Sequence, residues 1–255
     1  MLIVFSECRR WIAPSEPHCS HLEWFWANFA VRRLFGRLTN LAMKPTNDAA
    51  LGFRAHSGWA AAVVLAGPAA SPKVIDRRRI ELVKPGTPGG VQPYHAAREL
   101  RLAQAEQFIQ GAIAAADQAA LAEIRFLEKQ MSELDLKIKT CGIVLASGRP
   151  LPSLEVTLRS HPMVHTAEGE LYRAAIANAA KRCGWPCLRI PERELYQRAS
   201  EEFRIPEAML KSRITEMGQS VGSPWSADEK CATLVAWLAL HAEQNPRANV
   251  SANKK

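Results

Sequence analysis

Apolar positions fall in short, strand-like runs up to about residue 94 and then change to a helical period. Leu51 to Leu65 is apolar apart from Arg54, His56 and Ser57, with glycines at 52 and 58. It predicts one long strand, or two strands with a bulge at Gly58. Gly67 to Pro72 is a turn, and Lys73 to Val83, with the basic run Arg77-Arg78-Arg79, is a further strand. Lys84 to Gly90 is a Pro/Gly loop, and a third short strand or irregular segment is expected at Val91 to Tyr94. Ala96 to Ile138 carries alanine-rich helical spacing, too long for an ordinary globular helix, so a break near Gly111 or two helices is expected.

The second half alternates. Lys139 to Ser147 reads as a compact apolar strand and Arg149 to Ser160 as a loop or short helix. Thr166 to Cys183 reads as a helix with Thr166 as N-cap and Gly184 as C-cap. Trp185 to Ile190 is a short strand. Pro191 to Phe203 and Glu207 to Met217 are helical, and Ser226 caps a last helix, Ala227 to Ala242. Strands therefore come first as a meander and then alternate with helices, which predicts an α/β fold.

The ends stand apart. Residues 1–42 hold three of the seven tryptophans, with Leu22 to Leu38 as a short amphipathic helix beside Arg32, Arg33 and Arg37. They are read as an upstream extension, poorly ordered, with Met43 as the natural start. A domain over 43–242 and a disordered tail over 243–255 complete the expected organisation. The chain has 255 residues and a formal charge of +8, which falls to +6 without residues 1–42. A basic surplus permits nucleic-acid binding without establishing it. No apolar run reaches the roughly 18 residues of a membrane span, and six scattered cysteines form no CxxC framework. A bacterial-type protein of the reducing cytoplasm fits this composition. No Walker loop, GxGxxG, GxSxG or HExxH motif occurs.

Leu51-Gly-Phe, Gly58-Trp-Ala-Ala-Ala-Val-Val, Gly142-Ile-Val-Leu-Ala and Trp225-Ser-Ala-Asp-Glu-Lys-Cys-Ala-Thr-Leu-Val-Ala-Trp-Leu-Ala-Leu240 carry a resemblance in order and texture. Over about residues 50–242 the chain resembles the ribonuclease H-like superfamily, and within it the RuvC-type Holliday-junction resolvases. The resemblance implies an RNase H-like fold: a three-stranded meander, then alternating helices and parallel strands, with helices on both faces of a mixed sheet. It also implies a DNA or RNA partner and carboxylates converging on magnesium or manganese. The opening strand, where the first acid of the family belongs, offers Arg54, His56 and Ser57 instead, and Ala146-Ser147-Gly148 stands where a fourth-strand acid belongs. Only Asp228 and Glu229 match a family acid by position.

A different polar set is present. On a continuous helix His161, His165, Glu168 and Tyr172 share one face. His161-x3-His165 is a usable transition-metal spacing, although Pro162 disfavours helical geometry at His161. His56 and His95 are placed to approach the same sheet end. The candidate catalytic residues are therefore His56, His165, Glu168 and Asp228, and the candidate metal ligands Glu168, Asp228, Glu229 and His161. Arg77 and Arg79, on one side of their strand, are the candidate nucleic-acid contacts. The plainer readings are a polar helix start and an ion-paired strand. Three functions remain open: a divergent metal-dependent nuclease or resolvase with an altered site, a nucleic-acid-binding module without catalysis, and an interaction subunit. The last would form homo-oligomers through the long helix of 96–138.

Overall fold

Gly58 decides how the first apolar run folds. It takes a left-handed conformation (φ +83°), and a Cβ there would lie 2.4 Å from Val91 Cγ1. Ser57-Gly58 therefore closes a tight hairpin between β1 (Asp48–His56) and β2 (Trp59–Ala66), in which His56 pairs with Trp59. The computed structural model describes residues 47–146 and 150–246, all within one compact unit. The expectations for residues 1–42, Met43, Ser147-Gly148 and the tail beyond residue 246 lie outside the described residues.

The third strand, β3 (Lys73–Glu81), pairs antiparallel with β2; β4 (Lys137–Leu145) pairs parallel with β1, and β5 (Cys187–Pro191) parallel with β4. The result is a mixed five-stranded sheet in the order β3-β2-β1-β4-β5, compatible with an RNase H-like arrangement. The third strand comes from residues 73–81. Val91 to Tyr94 instead leads into a short helix, α1 (Pro93–Ala97), where Pro93 sits in the first turn and its missing N–H is harmless.

The long helical segment has different bounds from those its sequence suggests. After α1 the chain breaks, and α2 runs unbroken over Leu102–Glu133, through Gly111. Asp135 takes a positive φ of 57° and turns the chain into β4. Next come α3 (Leu154–Arg159) and α4 (His161–Arg182). Thr166 is not the cap of α4. Ser160 holds that position, Pro162 occupies the first turn, and Thr166 Oγ1 donates to the Pro162 carbonyl at 2.9 Å. After β5 follow a single 3-10 turn at Glu192–Glu194, then α5 (Leu195–Phe203), α6 (Glu207–Gln219) and α7 (Ala227–Gln244). The last helix extends past Ala242, because the Gln244 side chain accepts from Ala69 N (2.8 Å) and donates to Gly67 O (3.0 Å).

Strand alternation sorts the core. Leu51 and Phe53 join the cluster with Ile124 and Leu127 of α2 and Ile176 of α4. Ala50, Val63 and Leu65 join the other cluster, with Leu195 of α5, Leu210 of α6 and Val235 of α7. Two glycines let α7 lie directly on the sheet. Gly52 and Gly142 are partners across β1 and β4, and a Cβ on either would meet a backbone oxygen of α7: Ala232 O at 1.9 Å and Val235 O at 2.5 Å.

Candidate functional site

The polar residues collect at the carboxyl end of β1 in two groups, one on each face of the sheet. Arg54 and His56 follow Gly52 at intervals of two, so they face α7. Arg54 Nη1 lies 2.9 Å from Asp228 Oδ1, and Nη2 lies 2.9 and 2.8 Å from the two carboxylate oxygens of Glu192. His56 Nε2 is 3.0 Å from Arg54 Nη1 and 3.1 Å from Asp228 Oδ2. Burial opposes the charge on Arg54. The hydrogen bond and charge of Glu192, with the charge of Asp228, more than offset that, and its pKa is pushed up.

Around this knot lies a row of flat side chains. The His56 ring stacks on Trp59 with centroids 4.3 Å apart, and the Arg79 guanidinium lies 4.2 Å from the Trp59 centroid. Arg77, on the same side of β3, lies 3.8 Å from Glu229 Oε1 and donates to Gly222 O at 3.3 Å. Arg78 faces the other way and pairs with Asp76 at 2.6 Å. Glu229 closes the capping box of α7, accepting from Ser226 N at 2.8 Å.

On the opposite face, α4 begins at His161 and so carries His161, His165 and Glu168 in its first turns. His95 comes in from α1. The rings of His95, His161 and His165 have centroids 4.5 to 5.3 Å apart. Glu168 is 1% exposed; its Oε1 accepts from His95 N at 3.0 Å and lies 3.4 Å from His95 Nδ1. Burial raises the Glu168 pKa, against the backbone and side-chain hydrogen bonds of His95. Burial also raises that of Tyr172, whose hydroxyl donates to Val91 O at 3.1 Å. Desolvation and the like charges of His165, His95 and Arg98 lower the pKa of His161.

The single site expected from His56, His165, Glu168 and Asp228 is therefore divided. His56 with Asp228 and His165 with Glu168 belong to different faces, because β1 alternates and α4 and α7 pack on opposite sides of the sheet. The expected metal set also separates: Asp228 is held by Arg54, Glu229 by its cap and Arg77, while Glu168 and His161 stand across the sheet. Sequence reasoning missed Glu192. Its signal was its place immediately after a parallel strand, at the sheet end where open α/β sheets bind ligands. Trp59, half-buried, stacks on the His56 ring and lies under the Arg79 guanidinium.

No family model matches the chain, and no curated protein matches it. Among solved structures it is similar to RuvC of Thermus thermophilus. One such structure is a complex with a Holliday junction substrate, at 10% identity over 78% of this chain and 95% of that one, with a TM-score of 0.42. Another is at 12% identity over 79% and 96%, also with a TM-score of 0.42. Among the described residues no helix is long and apolar enough to cross a membrane.

Proposed function

We propose that the chain is a nucleic-acid-binding protein on an RNase H-like scaffold, contacting DNA or RNA through the α7 face at the carboxyl end of β1. The row Arg79–Trp59–His56–Arg54 carries the reading. Swinging the exposed Arg79 side chain off Trp59 opens an aromatic face for an unpaired base, with guanidinium groups beside it for phosphates. Arg79 is 55% exposed and its partner Glu81 56%, so that ion pair is weak enough to exchange for phosphate. Arg77 supports the rim of the same face.

The altered acidic site favours binding over cleavage there. A two-metal nuclease needs carboxylates free to share magnesium or manganese. Asp228 and Glu192 converge, but on the Arg54 guanidinium. A metal-dependent phosphodiesterase working through Glu168 and Asp228 together is disfavoured by their separation across the sheet.

The test is fluorescence anisotropy with labelled single-stranded, duplex and branched DNA and with RNA, at several salt concentrations, alongside a cleavage assay with magnesium or manganese. Affinity should fall with salt as phosphate contacts release counterions. Trp59→Ala should weaken single-strand binding by about tenfold, within the roughly 1–3 kcal/mol of a base–aromatic stack. Binding that ignores both salt and Trp59→Ala refutes the proposal; cleavage abolished by Asp228→Asn would restore the nuclease reading.

A self-association role has one supporting observation. Phe126, on α2, is 53% exposed beneath the Arg78 guanidinium. A homo-oligomer formed through that helix should appear by light scattering as a salt-insensitive species lost in Phe126→Glu.

A further inference from the structure

The three histidines on the α4 face form a group that nucleic-acid binding by the α7 face does not use. One nitrogen from each of His95, His161 and His165 lies within 4.8 Å of the other two. The Nε2 atoms of His161 and His165 are 3.0 Å apart. The ring planes are inclined to one another by 60 to 83°, so the imidazoles present edges to a shared space instead of stacking. His161 and His165 are exposed, and His95 is half-buried.

Glu168 supplies the second observation. Its carboxyl is buried, its Oε1 reaches His95 at both the backbone N–H and Nδ1, and its Oε2 has no hydrogen-bond partner among the described residues. Burying a carboxyl with one oxygen unpaired is costly unless another interaction compensates. A hydrogen bond between neutral His161 and His165 accounts for that pair, and Glu168 Oε1 satisfies the first-turn His95 N–H of α1, but neither accounts for the approach of His95 Nδ1 to the same oxygen. With the His95 proton on Nδ1, facing Glu168, Nε2 keeps its lone pair. Metal-binding histidines are held in this way by carboxylates.

We propose that His95, His161 and His165 form a binding site for a zinc-class divalent ion, with Glu168 as the positioning residue for His95. Imidazole donors select zinc, cobalt or nickel over magnesium, which prefers oxygen. Tetrahedral bonds of about 2.0–2.1 Å place ligand nitrogens about 3.4 Å apart. The His161–His165 pair is near that spacing, and the remaining adjustment falls on exposed rings. Three protein ligands leave one position for water, open to solvent beside His161 and His165.

The test uses the full chain, stripped with a chelator and titrated calorimetrically with zinc, and separately with cobalt followed by visible absorption. One equivalent of zinc should be lost in the double variant His161→Ala/His165→Ala, and binding should weaken at least tenfold in His95→Ala. Glu168→Gln should keep the stoichiometry and weaken binding by about 10- to 100-fold. Cobalt should give tetrahedral visible bands that vanish in the double variant. The two exposed histidines contribute little to packing, so circular dichroism of the double variant should match the wild type, and it decides the matter even if Glu168→Gln misfolds. The same zinc stoichiometry in the double variant, no binding at all, or cobalt seen only through a near-ultraviolet thiolate band would overturn the proposal.

Discussion

If the Arg54 guanidinium neutralises Asp228 and Glu192 as a tethered cation, a carboxylate at that position should create a demand for a free cation. Arg54→Asp removes three charge-assisted contacts of 2.8 to 2.9 Å. Such bonds contribute about 1.5–3 kcal/mol each when dry. Arg54 is 21% exposed, Asp228 25% and Glu192 48%, so solvent screening reduces each contact to about 1 kcal/mol. Repulsion among three carboxylates adds about 1 kcal/mol at a half-solvated site. The total of about 4 kcal/mol lowers Tm by about 8–16 °C for a domain of this size. Magnesium at one hundred times its Kd should return about 2.7 kcal/mol, and being oxygen-seeking it avoids the histidines. Thermal unfolding with and without magnesium reads both effects, with Arg54→Met as a control that loses stability without rescue. A variant as stable as the wild type, or one that magnesium leaves unchanged, would refute the tethered-cation account.

Other outcomes follow from packing and from thiol chemistry. Gly52→Ala pushes a methyl against the Ala232 carbonyl, a backbone atom that cannot rotate away, and should cost at least about 3 kcal/mol in urea unfolding. Gly111→Ala meets nothing within 4 Å and should stabilise α2 by about 0.5–1 kcal/mol. Cys187 faces Cys141 across β4 and β5, and its pKa is lowered to about 7, chiefly by the Cys141 hydrogen bond and, against burial, by Arg189. Its alkylation, followed by mass spectrometry, should rise through a midpoint near pH 7, ahead of Cys231, whose pKa burial raises. Equal rates at the two cysteines would contradict that assignment.

The succession of strands along the chain was legible because the apolar runs were short and the turns carried glycine and proline. The less legible parts were decided by contacts that no local pattern contains. Val91 to Tyr94 resembles a strand by composition, but β2 and β3 had already completed the meander, and Pro93 suits a helix start. Gly111 resembles a helix breaker, but α2 is long, packs on α4, sets Ile124 and Leu127 in the core, and continues through one unfavourable residue. Pro162 argued against a helical His161, yet a proline in the first turn removes no helical hydrogen bond.

The division of the candidate site was written in the sequence, but only jointly with handedness. From β3 through α2 to β4, and from β4 through α4 to β5, parallel strands are joined by crossovers that step in the same direction along the sheet. Right-handed crossovers then place both helices on one face, and α4 brings His161, His165 and Glu168 with it. The helix after β5 is left to cover the other face, where period-two alternation from Gly52 sets Arg54 and His56 beneath Asp228. Glu168 and Asp228 therefore stand on helices that pack against opposite faces of the sheet. The polar groups of each half meet their partners separately instead: Asp228 and Glu192 on the Arg54 guanidinium at the α7 face, and Glu168 Oε1 on His95 at the α4 face.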